Sequence, residues 1–275
     1  MIKQIGVIFF TILVMAGCTP MVKQSGVSGA NTTNNNNFYT QKKIGYIINV
    51  KPYPTHTHIG TTQITSFVKE YKYDWKIPQY TEQELVKNLK RLAYVTPVNL
   101  QKYGVSANSV NGMLRRVNGT WTIASDKQNV YNDLINRLGL YAVVVINEAP
   151  KVGIVDCGIL GCKEYKAQGY GLLTKGFLTT TDYYSATPFW VHIYKLKPTP
   201  TSLDPQIVNI NGSKKMTKVA ISKNHQMLPN KIGLRSYPKD FKNWTEEEFA
   251  PFRLPLVSYI DGLSREISKT LLNNL

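Results

Sequence analysis

From Ser125 to Ile146 the chain spells a helix, a glycine and a strand in immediate succession. Val130, Leu134 and Leu138 fall on one helical face, and Gly139 stands where a helix C-terminus favours a left-handed residue. Leu140 to Ile146 (LYAVVVI) then runs apolar without alternation. A strand apolar on both sides is stable only where both faces are covered, so it predicts a central position in a sheet with structure packed above and below. Lys43 to Val50 (KIGYIINV) is a second strand of this kind. Together they set the expected fold class: α+β, a mixed β-sheet with packed helices.

The remaining elements follow from shorter signals. Residues 55 to 75 carry Ile, Phe, Val, Tyr and Trp between polar residues and read as a hairpin or edge strands. Thr81 to Leu92 reads as a helix, with Thr81 and Glu84 as a capping box and Leu85, Leu89 and Leu92 on one face. A short strand follows at Ala93 to Val98, confined to an edge by Pro97. Further strands are expected at Glu164 to Leu178, Phe189 to Leu196 and Met216 to Ser222. Thr245 opens a capping-box helix that Pro251 cuts. Pro255 then starts a long C-terminal helix whose stripe is Leu256, Ile260, Leu263, Ile267 and Leu271. All of this lies within residues 41–275, read as a single mixed α/β domain.

The first 40 residues have a different character. Lys3 precedes an apolar run from Ile5 to Met15, too short to act as a stop-transfer span, and small residues follow it. The ending Val14-Met15-Ala16-Gly17-Cys18 resembles the lipobox of bacterial lipoproteins. That resemblance implies a signal peptide at 1–17, lipidation of Cys18 with fatty acyl chains such as palmitate, and attachment to a membrane through them. Two or more chains anchor stably where one is marginal, since each buried methylene contributes about 0.8 kcal/mol. Thr19, standing where an Asp would retain the chain, implies sorting to the outer membrane, on its periplasmic side. Residues 18–40 are rich in Ser, Gly, Thr and Asn and cannot bury enough apolar surface to fold. As a coil their reach is roughly 25 Å. The order of elements beyond them, with KIGYIINV and LYAVVVI, also resembles the mixed α/β domain of several envelope lipoproteins, including the curli-secretion lipoprotein and the N-terminal domain of the Tol-Pal translocation protein.

The formal charge is +16, of which the leader removes only Lys3. An exported chain meets no nucleic acid, so the partners expected for a basic surface are an envelope protein or an anionic envelope polymer. The lysines are scattered and mark no single groove. Seventeen tyrosines and four tryptophans favour β-structure and polar-aromatic surfaces of the kind found in carbohydrate-binding and assembly proteins.

Few residues carry catalytic signals. Cys157 and Cys162, separated by Gly158-Ile-Leu-Gly161, are expected to form a disulfide in an oxidising compartment. Asp156-Cys157-Gly158 also loosely resembles a segment of papain-like peptidoglycan hydrolases, which would make Cys157 a nucleophile and His192 its base. Against that reading, the serine after the cysteine is missing and no helix pattern follows to lower the thiol pKa. His56 and His58 share a strand face, but two ligands make no metal site, and they read as surface histidines beside a turn. Glu148 and Asp156 flank the end of the strong strand, where open α/β sheets place ligands. Gly169 and Gly171 inside a strand pattern suggest a bulge or a close backbone approach. His225 stands alone, and no phosphate loop, serine elbow or zinc helix is present. The expectation is a non-enzymatic envelope component with neither cofactor nor metal.

Overall fold

The computed structural model describes residues 41–159, 161–177, 180–203, 220–223 and 245–275. The chain divides into two units, and the described residues all lie in the second, Tyr39–Leu275. The leader, Cys18 and the spacer lie outside the described residues, as does His225.

In chain order the second unit runs β1 (Lys42–Asn49), β2 (Thr55–Ile59), β3 (Phe67–Glu70), α1 (Ile77–Lys90), β4 (Val95–Asn99), α2 (Ala107–Val110), β5 (Leu114–Val117) and β6 (Thr120–Ile123). It continues with α3 (Gln128–Asn136), β7 (Leu140–Glu148), β8 (Lys151–Gly158), β9 (Gly161–Ala167), β10 (Gly171–Phe177), β11 (Thr180–Thr187), β12 (Phe189–Lys195), β13 (Thr201–Leu203), β14 (Ala220–Lys223) and α4 (Glu246–Leu272). The fold class is α+β. Its first sheet has the order β13-β12-β7-β1-β4, with β4, β1 and β7 parallel and β12 antiparallel to β7. The second has the order β14-β11-β10-β2-β3, with β2 and β10 parallel. Two further hairpins, β5-β6 and β8-β9, stand apart from these sheets.

The unbroken apolar run of β7 is explained by its two neighbourhoods. Ala142, Val144 and Ile146 face a core shared with Leu85 and Leu89 of α1 and with Ile260 of α4. Val143 and Val145 face a separate core with Val110, Met113, Leu134 and Leu138. Gly139 adopts φ 67 and turns the chain from α3 into β7. Gly45 of β1 lies so close to Leu100 and Leu140 that a Cβ there would come within 2.8 Å of each.

Several expectations are corrected. The first helix begins at Ile77, not Thr81, because Pro78 pre-sets its first turn. Thr81 Oγ1 instead donates back to the Ile77 carbonyl (2.7 Å), and Glu84 pairs with Lys87. The stretch expected as one strand from Glu164 to Leu178 is two, β9 and β10, parted at Gln168–Tyr170. The C-terminal helix starts at Glu246 and passes through both Pro251 and Pro255. Each interior proline forfeits a hydrogen bond, at a cost of about 3 kcal/mol in an isolated helix. Burial of Phe249, Phe252 and Leu256, at most 2 % exposed, offsets this at roughly 1.5–3 kcal/mol per side chain. The stripe from Leu256 to Leu271 is fully buried, as its period requires.

Candidate functional site

The C-terminal ends of β1 and β7 carry a polar and aromatic crescent on the face that bears Val143 and Val145. Alternation along β12 puts Trp190, His192 and Tyr194 on this same face. Their rings form a ladder running outward. Tyr194 is 3 % exposed and its hydroxyl accepts from the Gly112 N–H (3.1 Å). His192 stacks on it at 6.0 Å with an interplanar angle of 8°. Trp190 meets His192 edge-on at 6.4 Å and is 46 % exposed.

Strand register sets asparagines beside the indole. Trp190 lies opposite Asn147, and Asn147 lies beside Asn49, so three adjacent strands present one row. With neighbouring strands about 4.8 Å apart, the row is about 10 Å long. The amides are mutually fixed. Asn147 Oδ1 accepts from Asn49 Nδ2 (2.9 Å) and Asn111 Nδ2 (3.2 Å), while Asn147 Nδ2 donates to Asn111 Oδ1 (3.1 Å). Asn147 is buried and serves as the hub; Asn49 is exposed at the rim. Asn49 uses one of its two amide protons here, which leaves the other proton and the carbonyl oxygen for a ligand. The readable signal was present: each of the two apolar runs gives way to an asparagine, Asn49 or Asn147, a residue that gains nothing from strand propensity.

Cys157 and Cys162 lie directly opposite each other in the β8-β9 hairpin and are bonded, S–S 2.09 Å. Both are exposed, and Ile159 at the tip is fully so. His192 belongs to the aromatic ladder of the first sheet. With its sulfur in a disulfide, Cys157 offers no thiolate.

The reading of His56 and His58 as surface histidines is corrected: they are 0 % and 2 % exposed. β2 is an interior strand, paired on both sides by β10 and β3, and sequence could not supply those neighbours. Thr174 Oγ1 bridges His56 Nε2 and His58 Nδ1 at 2.7 Å each, and Tyr71 Oη lies 2.6 Å from His56 Nδ1. Phe67 packs edge-on against His56 and stacks on His58. Burial lowers both imidazoles, His56 to about 3 and His58 to about 4, with the charges of His58 and Lys69 adding to the effect on His56. Neutral rings that share Thr174 in this way tie β2 to β10. Among the described residues no group of three or more His, Cys, Asp or Glu is gathered to hold a metal ion.

Glu148 turns to the opposite face from Asn147. Its carboxylate accepts from the Lys51 and Tyr170 N–H groups, both at 2.9 Å, and burial raises its pKa. Asp156 lies in β8, away from this clamp in sequence and sheet. Gly171, at φ 132, lets the backbone pass so close to Thr55 that a Cβ would sit 2.6 Å from its carbonyl oxygen. The close approach is therefore internal, between β10 and β2. A groove of about 520 Å³ also opens between α1 and α4, but its Glu84 and Asp261 carboxylates are matched by Lys87 and Arg265.

No family model and no curated protein matches the chain. Among solved structures, a hypothetical protein, CT253 from Chlamydia trachomatis, is similar over 84 % of this chain and 96 % of its own, at 8 % identity and a TM-score of 0.36.

Proposed function

We propose that the protein is a lipid-anchored component of the bacterial cell envelope, held to the outer membrane through Cys18 and facing the periplasm, whose folded unit works by binding. The observation that carries this is the N-terminal order: a charged start, a short apolar run, Ala16-Gly17-Cys18, then a polar spacer ahead of the folded unit. An exposed disulfide fits an oxidising compartment. Its use of Cys157 leaves the alternative, a papain-like cysteine peptidoglycan hydrolase with His192 as base, without a nucleophile, and so favours the non-enzymatic reading. The binding partner is an envelope protein or an anionic envelope polymer, met by a chain of charge +16.

Intact-mass spectrometry of the natively expressed protein tests the anchor. A chain beginning at an acylated Cys18, and a Cys18→Ser variant that stays unprocessed and unacylated, support the reading. An unmodified Cys18 in the parent chain overturns it. Alkylation with and without prior reduction tests the other half: a thiol at Cys157 that reacts rapidly without reductant restores the hydrolase.

A further inference from the structure

We infer that the crescent formed by Trp190, Asn147, Asn49 and Asn111 binds an N-acetylated sugar chain. This rests on the reading of the folded unit as a binding module and names its ligand class. Three observations lead to it. Trp190 is 46 % exposed and its indole packs edge-on against His192, which stacks on Tyr194, so the ring is restrained before any ligand arrives. Such a restrained flat apolar surface suits the apolar face of a pyranose ring, at little entropic cost. Asn49, Asn147 and Asn111 form a fixed row of amides beside it, and the exposed Asn49 has both a donor and an acceptor left over. An amide with one donor and one acceptor complements another amide, which an acetamido group supplies, while its remaining valences match hydroxyls. Finally, the row Asn49–Asn147–Trp190 is built of two amides and an indole, groups that suit the hydroxyls, acetamido groups and ring faces of a glycan. A row about 10 Å long accommodates a short oligosaccharide segment.

Titration calorimetry of the full-length, detergent-solubilised protein with chitotriose, a trimer of N-acetylglucosamine, provides the test. Chitotriose should bind, and cellotriose, which has the same rings without acetamido groups, should bind on the order of tenfold more weakly. Trp190→Ala should reduce affinity on the order of tenfold or more, and Trp190→Phe should retain most of it. Asn49→Ala should weaken chitotriose several-fold and leave cellotriose nearly unchanged. Unaltered thermal melting of these variants by circular dichroism separates lost binding from lost fold; should Trp190→Ala melt early, the Phe variant and Asn49→Ala decide. Absence of heat with chitotriose, or equal binding by a folded Trp190→Ala variant, overturns the site. Equal binding of the two sugars overturns the acetamido assignment. The mass of the same preparation reports Cys18 independently, so an unacylated chain that still binds chitotriose removes the anchor and leaves the site standing.

Discussion

The carboxylate of Glu148, at the end of the central strand of the first sheet, accepts the backbone N–H of Tyr170, immediately before β10 of the second. Its other oxygen takes the Lys51 N–H on the link from β1 to β2, so one side chain fastens the two sheets where their strands diverge. Glu148→Ala should cost about 2 kcal/mol in urea denaturation, chiefly through the part-buried Tyr170 N–H left without its acceptor. Gly169→Ala should act similarly, since its Cβ would fall 2.7 Å from Glu148 Oε1 and 2.5 Å from Thr55 Oγ1. Unchanged stability in both variants would mean that the clamp is incidental.

His56 predicts acid lability. Its folded pKa is depressed to about 3 from an unfolded value near 6.5. The unfolded state therefore binds the proton first, and stability is full above pH 6.5 and declines as pH falls toward 3. By pH 5 His56 alone should cost about 2 kcal/mol, with His58 acting in the same direction. Glu148 contributes with the opposite sign: its pKa is raised, so the native state holds its proton more readily and acid does not undo it. Denaturation midpoints between pH 5 and 8 measure the slope, which should flatten in His56→Gln. A midpoint independent of pH in the parent protein would contradict the burial of these rings.

Reducing Cys157–Cys162 should have a small and local effect. The closed loop is short, and in the chain-entropy account it contributes about 2 kcal/mol to the hairpin. Cys157→Ser/Cys162→Ser should shift backbone amide resonances in β8 and β9 while the main unfolding transition moves by no more than that amount. Collapse of the whole fold on reduction would show that the hairpin supports the sheets.

The long helix makes a paired prediction. Ile260 is fully buried in the core that α4 shares with α1, so Ile260→Ala should cost about 2–5 kcal/mol. Leu254, six residues earlier on the same helix and 61 % exposed, should tolerate alanine within about 0.5 kcal/mol. Melting temperatures of the two variants compare them directly, and equal losses would mean that the helix is rotated from the face described.

Whatever depends on neighbours along the chain was legible in the sequence. The all-apolar LYAVVVI and KIGYIINV had to be interior strands, since no exposed strand hides both its faces, and they lie side by side as β7 and β1. The stripe from Leu256 to Leu271 had to be buried, because a period near 3.6 gathers those residues on one face. Long-range neighbours were invisible to it. Pro251 ordinarily ends a helix, and only the buried surroundings of Phe249 and Phe252 carry α4 through it. His56 and His58 look like turn-side polar residues until β10 brings Thr174 between them. The crescent lies deepest in this category: Asn49, Asn111, Asn147 and Trp190 are far apart in sequence, and the strand order and register of the first sheet alone make them neighbours. Local periodicity sets which face of an element is apolar, but pairing between distant strands sets which side chains meet, and so decides where a ligand can be held.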